Sequence, residues 1–462
     1  MTAQTNISRR QVAKAAGLAS INALAGCTIN DNGGPENVTP TSMPSDKTRT
    51  SADRTDSLIN AIEHVAVTFE LSGSSDQLDT VATQLAQSSI IGIGENSHGI
   101  AAFKQIPSFL VQRLVRDHGY RLVALEGTLG DFSSVNQYIH GDSDDLDAAI
   151  SSLEFYFWRT GAIKQLFEWL RKFNRGRPDA DGVEVRGYDA QFHDINAGAI
   201  QSYLDRVDPE YLAEINASLD PLTHPLYERS DASFMTESHV TLIDNLRTRF
   251  QNRKSKYINE SSESEWQLVR RHIWTLERGL QFLKESSAEN YTRGKRIRDE
   301  AMAENVSWLR DWTDSDRVVV MGNSNHTMRG GGGQHATRMG EHLTDEFGTE
   351  YYSLGMLFGS GEFSAPAHQR GDFTTYEIGS TVDDTLESTL VSVSQPPFFL
   401  DFERVRDRPQ LSAWLDNTAK TQFTVPRTAD RGAIGLPEPP GELFDGIVFV
   451  RDATPAAIMS QS

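Results

Sequence analysis

Four short apolar runs in this chain are each followed at once by polar or ionisable side chains, with long helix-patterned stretches between them. Residues 89–94 read Ser-Ile-Ile-Gly-Ile-Gly and lead into Glu95 and His98. Residues 121–125 read Arg-Leu-Val-Ala-Leu and lead into Glu126, and the run 183–188 ends at Asp189. Residues 317–321, Arg-Val-Val-Val-Met, lead into Asn323 and His326. Apolar runs of this length without polar alternation are strands buried on both faces, as in a parallel sheet covered by helices. Further runs at 351–358 and 446–450 extend the series. The expected fold class is α/β, a mostly parallel β-sheet flanked by helices. The stretch at about 195–310 is helical in pattern without a strand and reads as a helical insertion, with turns at 252–264 and 284–289. Apolar spacing predicts another helix over 103–115, with Pro107 limiting where it begins.

Ligands of open parallel sheets bind beyond the carboxyl ends of the strands, where loops bring side chains from different strands together. The pattern therefore predicts one site built from Glu95, His98, Glu126, Asp189, Asn323 and His326. Taken singly, each acid is as readily an ordinary strand-end or helix-capping residue. Several chemistries are disfavoured. No Gly-x-Ser-x-Gly elbow is present for a serine nucleophile, and Gly92 and Gly94 lack the third glycine of a dinucleotide loop. No His-Glu-x-x-His pattern occurs, yet Glu95, His98, Glu126 and His326 are of the types that ligate a cation. A metal-dependent hydrolase thus stays as an alternative to a site that uses no metal or cofactor. Phe155, Phe157 and Trp158 suit either an apolar substrate pocket or the core, and His335 after a glycine tract suits a lid or a solvated loop.

The N-terminus reads as an address. Ser8-Arg9-Arg10-Gln11-Val12-Ala13-Lys14 has the form of a twin-arginine signal, a mildly apolar stretch follows at 15–25, and Leu24-Ala25-Gly26-Cys27 has the form of a lipobox. The expected organisation is a signal at 1–27 with Cys27 as the lipidated residue, a disordered tether at 28–56, and a domain at 57–462. The expected location is the outer face of the cell membrane, held by the lipid alone. Cys27 is the one cysteine, which excludes an internal disulfide and a thiolate metal cluster. A net charge of −20 argues against nucleic-acid binding. Ten lysines against 64 acidic residues is a composition suited to high salt, where repulsion between carboxylates is screened.

Gly94-Glu95-Asn96-Ser97-His98-Gly99 resembles the Gly-Glu-x-Thr-His-Gly signature of the erythromycin esterase family. Similar blocks follow in order: Val123-Ala124-Leu125-Glu126, Phe157-Trp158, Gly187-Tyr188-Asp189-Ala190-Gln191, Arg298-Asp299-Glu300, Arg338-Met339-Gly340, Phe358-Gly359-Ser360-Gly361 and Arg431-Gly432-Ala433. The resemblance implies a hydrolase that opens an ester, a macrolactone among them, without a covalent serine intermediate, and a role in antibiotic inactivation. His98 would be the base on water, with Glu95 and Glu126 orienting and charge-stabilising its imidazole. His326 and Arg298 would hold the substrate carbonyl or the oxyanion, with Asp189 and Asn323 as further substrate-binding positions. Two departures stand out. Pro107 occupies the place, nine residues after the signature histidine, where the family often has Arg or Lys. Asn323 replaces the first histidine of a His-Asn-x-His pattern. They motivate another alternative, a surface lipoprotein that binds a small molecule without turning it over.

Overall fold

The computed structural model describes residues 51–71, 75–178, 181–225, 234–287, 290–330, 337–366, 373–381, 383–417, 422–423, 434–435 and 438–459. The twin-arginine segment, Cys27, His335 and the block 431–433 lie outside the described residues. Among the described residues no helix is long and apolar enough to cross a membrane.

The buried runs form strands where the pattern placed them: β2 (Ile90–Glu95), β3 (Leu122–Thr128), β4 (Glu184–Asp189), β5 (Val318–Asn323), β6 (Tyr351–Pro366) and, last in the chain, β11 (Gly446–Ala453). All six are parallel, in the order β11-β6-β2-β5-β3-β4. Shorter strands complete a mixed sheet of nine: β1 (Val67–Thr68) and β8 (Phe398–Asp401) run antiparallel beyond β11, and β7 (Phe373–Ile378) folds back on the end of β6. A separate hairpin pairs β9 (Gln422–Phe423) with β10 (Ile434–Gly435).

Successive strand residues point to opposite faces, and each face has its own helical cover. Helix α1 (Ser51–Val65) packs with Leu357, Phe398, Leu400, Ile447 and Phe449. Ile91, Ile93, Val123, Leu125, Val319 and Met321 pack under helices α2 to α6: Asp76–Leu85, Ala102–His118, Ser133–His140, Leu146–Ser151 and Gly161–Asn174. Ile90, Leu122, Ala124, Val318 and Val320 pack against residues of two later helices. Among the described residues, six α-helices lie between β4 and β5, α7 to α12: His193–Val207, Pro209–Leu219, Glu237–Asn252, Lys254–Glu260, Glu263–Ser287 and Tyr291–Trp312. The first five share a core of their own around Leu204, Leu246, Phe250, Tyr257 and Leu276. Helix α12 turns Met302, Val306 and Leu309 to the sheet instead, and so joins the two. After β5 come the single turn α13 (Ser324–Thr327) and α14 (Met339–Phe347).

Four expectations need correction. Lys284–Ser287, expected in a turn, is the end of helix α11. Residues 252–264 are not a simple turn: Lys254–Glu260 is a helix, because Tyr257 is anchored in the helical core and its hydroxyl donates to Asp208 Oδ2 at 2.7 Å. Helix α1 begins at Ser51, inside the stretch expected to be a tether. Pro107 lies within α3 rather than setting its start, so the ring removes one intrahelical hydrogen bond from an otherwise continuous Ala102–His118.

Candidate active site

Strand order decides the site. The late strand β5 inserts between β2 and β3, so Glu95, Asn323, Glu126 and Asp189 stand at the carboxyl ends of four neighbouring strands. Glu95 and Asn323 are direct register partners. Beyond Leu125 the β3–β4 register shifts, and Glu126 falls in that irregularity, which re-aims a side chain that regular pleating would fix. Two glycines permit the crowding: a Cβ at Gly94 would collide with Thr327 Oγ1, and one at Gly322 with the Tyr188 hydroxyl and Glu126 Oε2.

The loop after β2 turns His98 back on the end of its own strand. His98 Nδ1 lies 2.6 Å from Glu95 Oε1, and the imidazole stacks on Phe157 with centroids 3.9 Å apart. The protonation of this ring follows from its neighbours. Asn323 caps α13, its Oδ1 accepting from Asn325 N at 2.9 Å, so the amide must present Nδ2 to His98 Nε2, 3.4 Å away. An amide NH2 only donates, so Nε2 holds the lone pair and Nδ1 carries the proton donated to Glu95.

A second imidazole is held in the same way. His326 Nδ1 lies 2.6 Å from Asp299 Oδ1, and its Nε2 faces Arg298 Nη1 at 3.3 Å. A guanidinium only donates, so this ring too has its proton on Nδ1. Arg298 also donates from Nε and Nη2 to Asp189 Oδ1 and Oδ2 at 2.9 and 2.6 Å, and from Nη2 to Glu126 Oε1 at 3.3 Å. Burial opposes its charge, but Asp189, Glu126 and Asp299 outweigh that and hold the guanidinium firmly ionised. Burial alone would raise the Glu126 carboxyl; His326, His98, Arg298 and the Asn323 backbone N–H, which donates to Oε2 at 2.7 Å, together keep it below the usual range. Asp299 is likewise held low against its burial, chiefly by His326.

All seven predicted site residues outside the N-terminal segment meet in this network, with some changes of part. Glu95 touches His98 directly, whereas Glu126 reaches it only through Asn323 and so sets charge rather than ring orientation. Arg298 is bound to two carboxylates, and His326 Nε2 is an acceptor here, not a donor. Two neighbours, Asp299 and Lys104, were missed. Asp299 was legible as the residue beside Arg298, but nothing in sequence pairs it with His326. Phe157 gives the stacking surface and Trp158 donates Nε1–H to Glu126 O at 2.6 Å. Lys104 corrects the expectation raised by Pro107. A cation is present: Lys104, one helical turn earlier on α3, donates to Glu95 Oε1 and Oε2 at 2.7 and 2.6 Å. A lysine within the apolar face of a predicted helix was the available signal, since such a group needs a buried partner.

Among the described residues, no group of three or more His, Cys, Asp or Glu side chains is arranged to hold a metal ion.

With this geometry in place, similarity to known proteins can be set beside it. A family profile described as erythromycin esterase matches residues 115–453. The chain belongs to the erythromycin esterase family. Its Glu95–His98 turn lies ahead of the matched stretch, joined to it through β2 and Asn323. A curated relative, erythromycin esterase type II of Escherichia coli, is 22% identical over 326 residues, covering 65% of this chain and 76% of its own. Among solved structures, a succinoglycan biosynthesis protein superposes with a TM-score of 0.73 at 18% identity, covering 88% of this chain and 99% of its own. A Bacillus cereus protein gives 0.72 at 19% identity with the same coverage, and a mutant of the erythromycin esterase EreC in an open conformation gives 0.62 at 14%, covering 84% and 98%. These structures share the α/β fold. Membership of the erythromycin esterase family points to a hydrolase.

Proposed function

We propose that this protein hydrolyses an ester by direct attack of water, with His98 as the general base. The observation that carries the reading is the placement of His98: Nδ1 lies 2.6 Å from Glu95 Oε1, and Nε2 faces the Asn323 amide at 3.4 Å at the strand ends, an arrangement that puts the proton on Nδ1 and the lone pair on Nε2. Water that displaces the Asn323 hydrogen bond gives its proton to Nε2 as its oxygen attacks the ester carbonyl. Glu95 stabilises the imidazolium that forms. Arg298 and the Asn323 amide supply charge and N–H groups for the oxyanion. The imidazolium then returns the proton to the leaving alcohol, giving a carboxylic acid and an alcohol. A macrolactone is the ester class suggested by the names of the relatives, and antibiotic inactivation is the role it would serve. Arg9, Arg10 and Cys27 support export and lipid anchoring, which would place the activity outside the cell membrane.

The test is a panel of aryl esters and erythromycin, assayed with wild type and His98→Asn. Hydrolysis of at least one member by the wild type, lost in the variant, is the expected result. Equal rates would overturn the proposal. No hydrolysis of any member by wild type would return the surface-binding alternative.

A further inference from the structure

Lys104 takes no part in the water attack, yet it is 1% exposed, with its ammonium against both Glu95 oxygens and 4.7 and 5.0 Å from the ring centres of Trp158 and Phe157. An apolar side chain would fill this place at lower cost, because a buried ammonium must be paired to be tolerated. The neighbouring helix positions Phe103, Pro107 and Val111 are apolar and buried. Burial works against the Lys104 charge and lowers its pKa, opposed by Glu95 and by Glu126 from β3; Glu126 also acts on His98 and in turn faces His326 from α13 and Arg298 from α12. Arg298 is already divided between Asp189 and Glu126, and so cannot serve Glu95.

We propose that Lys104 is a positioning residue whose charge balances Glu95, leaving His98 free to be neutral with its lone pair on Nε2. This rests on the reading of His98 as the base. Without Lys104 the buried carboxylate is uncompensated. Either Glu95 takes up a proton, or His98 keeps one and forms an imidazolium–carboxylate pair. The second outcome is favoured because the partner lies 2.6 Å away, and it removes the base at neutral pH.

The experiment follows the His98 Cε1–H signal by NMR against pH, assigned by its loss in His98→Asn, alongside kcat/KM for p-nitrophenyl butyrate. In Lys104→Met the imidazole midpoint should rise by about one pH unit or more, with about a tenfold loss of rate below the midpoint per unit. The rate should recover towards wild type at high pH, and Lys104→Arg should restore the midpoint. An unmoved midpoint in folded Lys104→Met, or a loss of rate independent of pH, overturns the proposal. If Lys104→Met does not fold, Lys104→Gln keeps a hydrogen bond without the charge, and an unmoved midpoint there is equally decisive. The titration needs no substrate. A shifted midpoint in a protein that cleaves no ester would therefore sink the ester reading while upholding the charge balance.

Discussion

The two imidazoles of the site differ less in their carboxylates than in what faces their other nitrogen. His98 and His326 each place Nδ1 at 2.6 Å from an acid oxygen. At Nε2, His98 meets the neutral amide of Asn323 at 3.4 Å, whereas His326 meets the Arg298 guanidinium at 3.3 Å. An amide yields its place to water and barely opposes a proton on the ring. A guanidinium opposes it directly, since adding that proton would set two like charges in contact. On the proposed mechanism the first pair is the one that accepts a proton from water, and the second holds Arg298 in place. A histidine–carboxylate pair alone does not make a base.

The largest expected effect tests that asymmetry. His98→Asn should lower kcat/KM by about 10²–10⁴-fold, the usual range for a lost general base. His326→Asn, which removes a support rather than the base, should cost about tenfold. Equal losses in steady-state assays would break the comparison. Next in size is a stability effect. Glu95→Gln leaves Lys104 buried without its ionic partner and should destabilise by about 3–5 kcal/mol. The double variant Glu95→Gln/Lys104→Met should recover most of that in urea unfolding while remaining inactive. A double variant no more stable than the single would show that Lys104 is held by other contacts.

The smallest effect concerns a carboxyl outside both pairs. Asp131 follows β3, accepts from Glu154 N at 3.2 Å, and has Oδ2 buried with no hydrogen-bond partner. Burial pushes its carboxyl up to about 8. A carboxyl raised on folding stabilises the folded state at low pH, and that contribution is lost as pH rises from about 4 through 8. Asp131→Asn should therefore match wild type below pH 4 and gain on it progressively as pH rises towards 8. Parallel stability curves across that range would count against the protonated carboxyl. Because Asp131 touches neither imidazole, the ratio between the His98 and His326 effects should not change in this background.

Much of the fold was written along the chain. Runs such as Val318 to Val320 are apolar at every position, which only a strand covered on both faces tolerates, and each of the four site strands appeared within three residues of its expected limits. The antiparallel strands were not legible. Phe398–Asp401 is too short to show a period, and it pairs with β11, far along the chain. The Glu95–His98 contact was legible because three residues across one turn suffice to form it.

What only the tertiary structure decided is who stands beside whom. Insertion of β5 between β2 and β3 puts Asn323 against His98 across 225 residues, and α12 brings Asp299 to His326. Lys104 shows the limit most directly: its spacing marks it as buried, but only the packing of α3 against β2 names Glu95 as its partner. Local sequence specifies which groups are buried and where strands end. Charge balance among buried groups depends on distances of a few ångströms, and those are set by strand order.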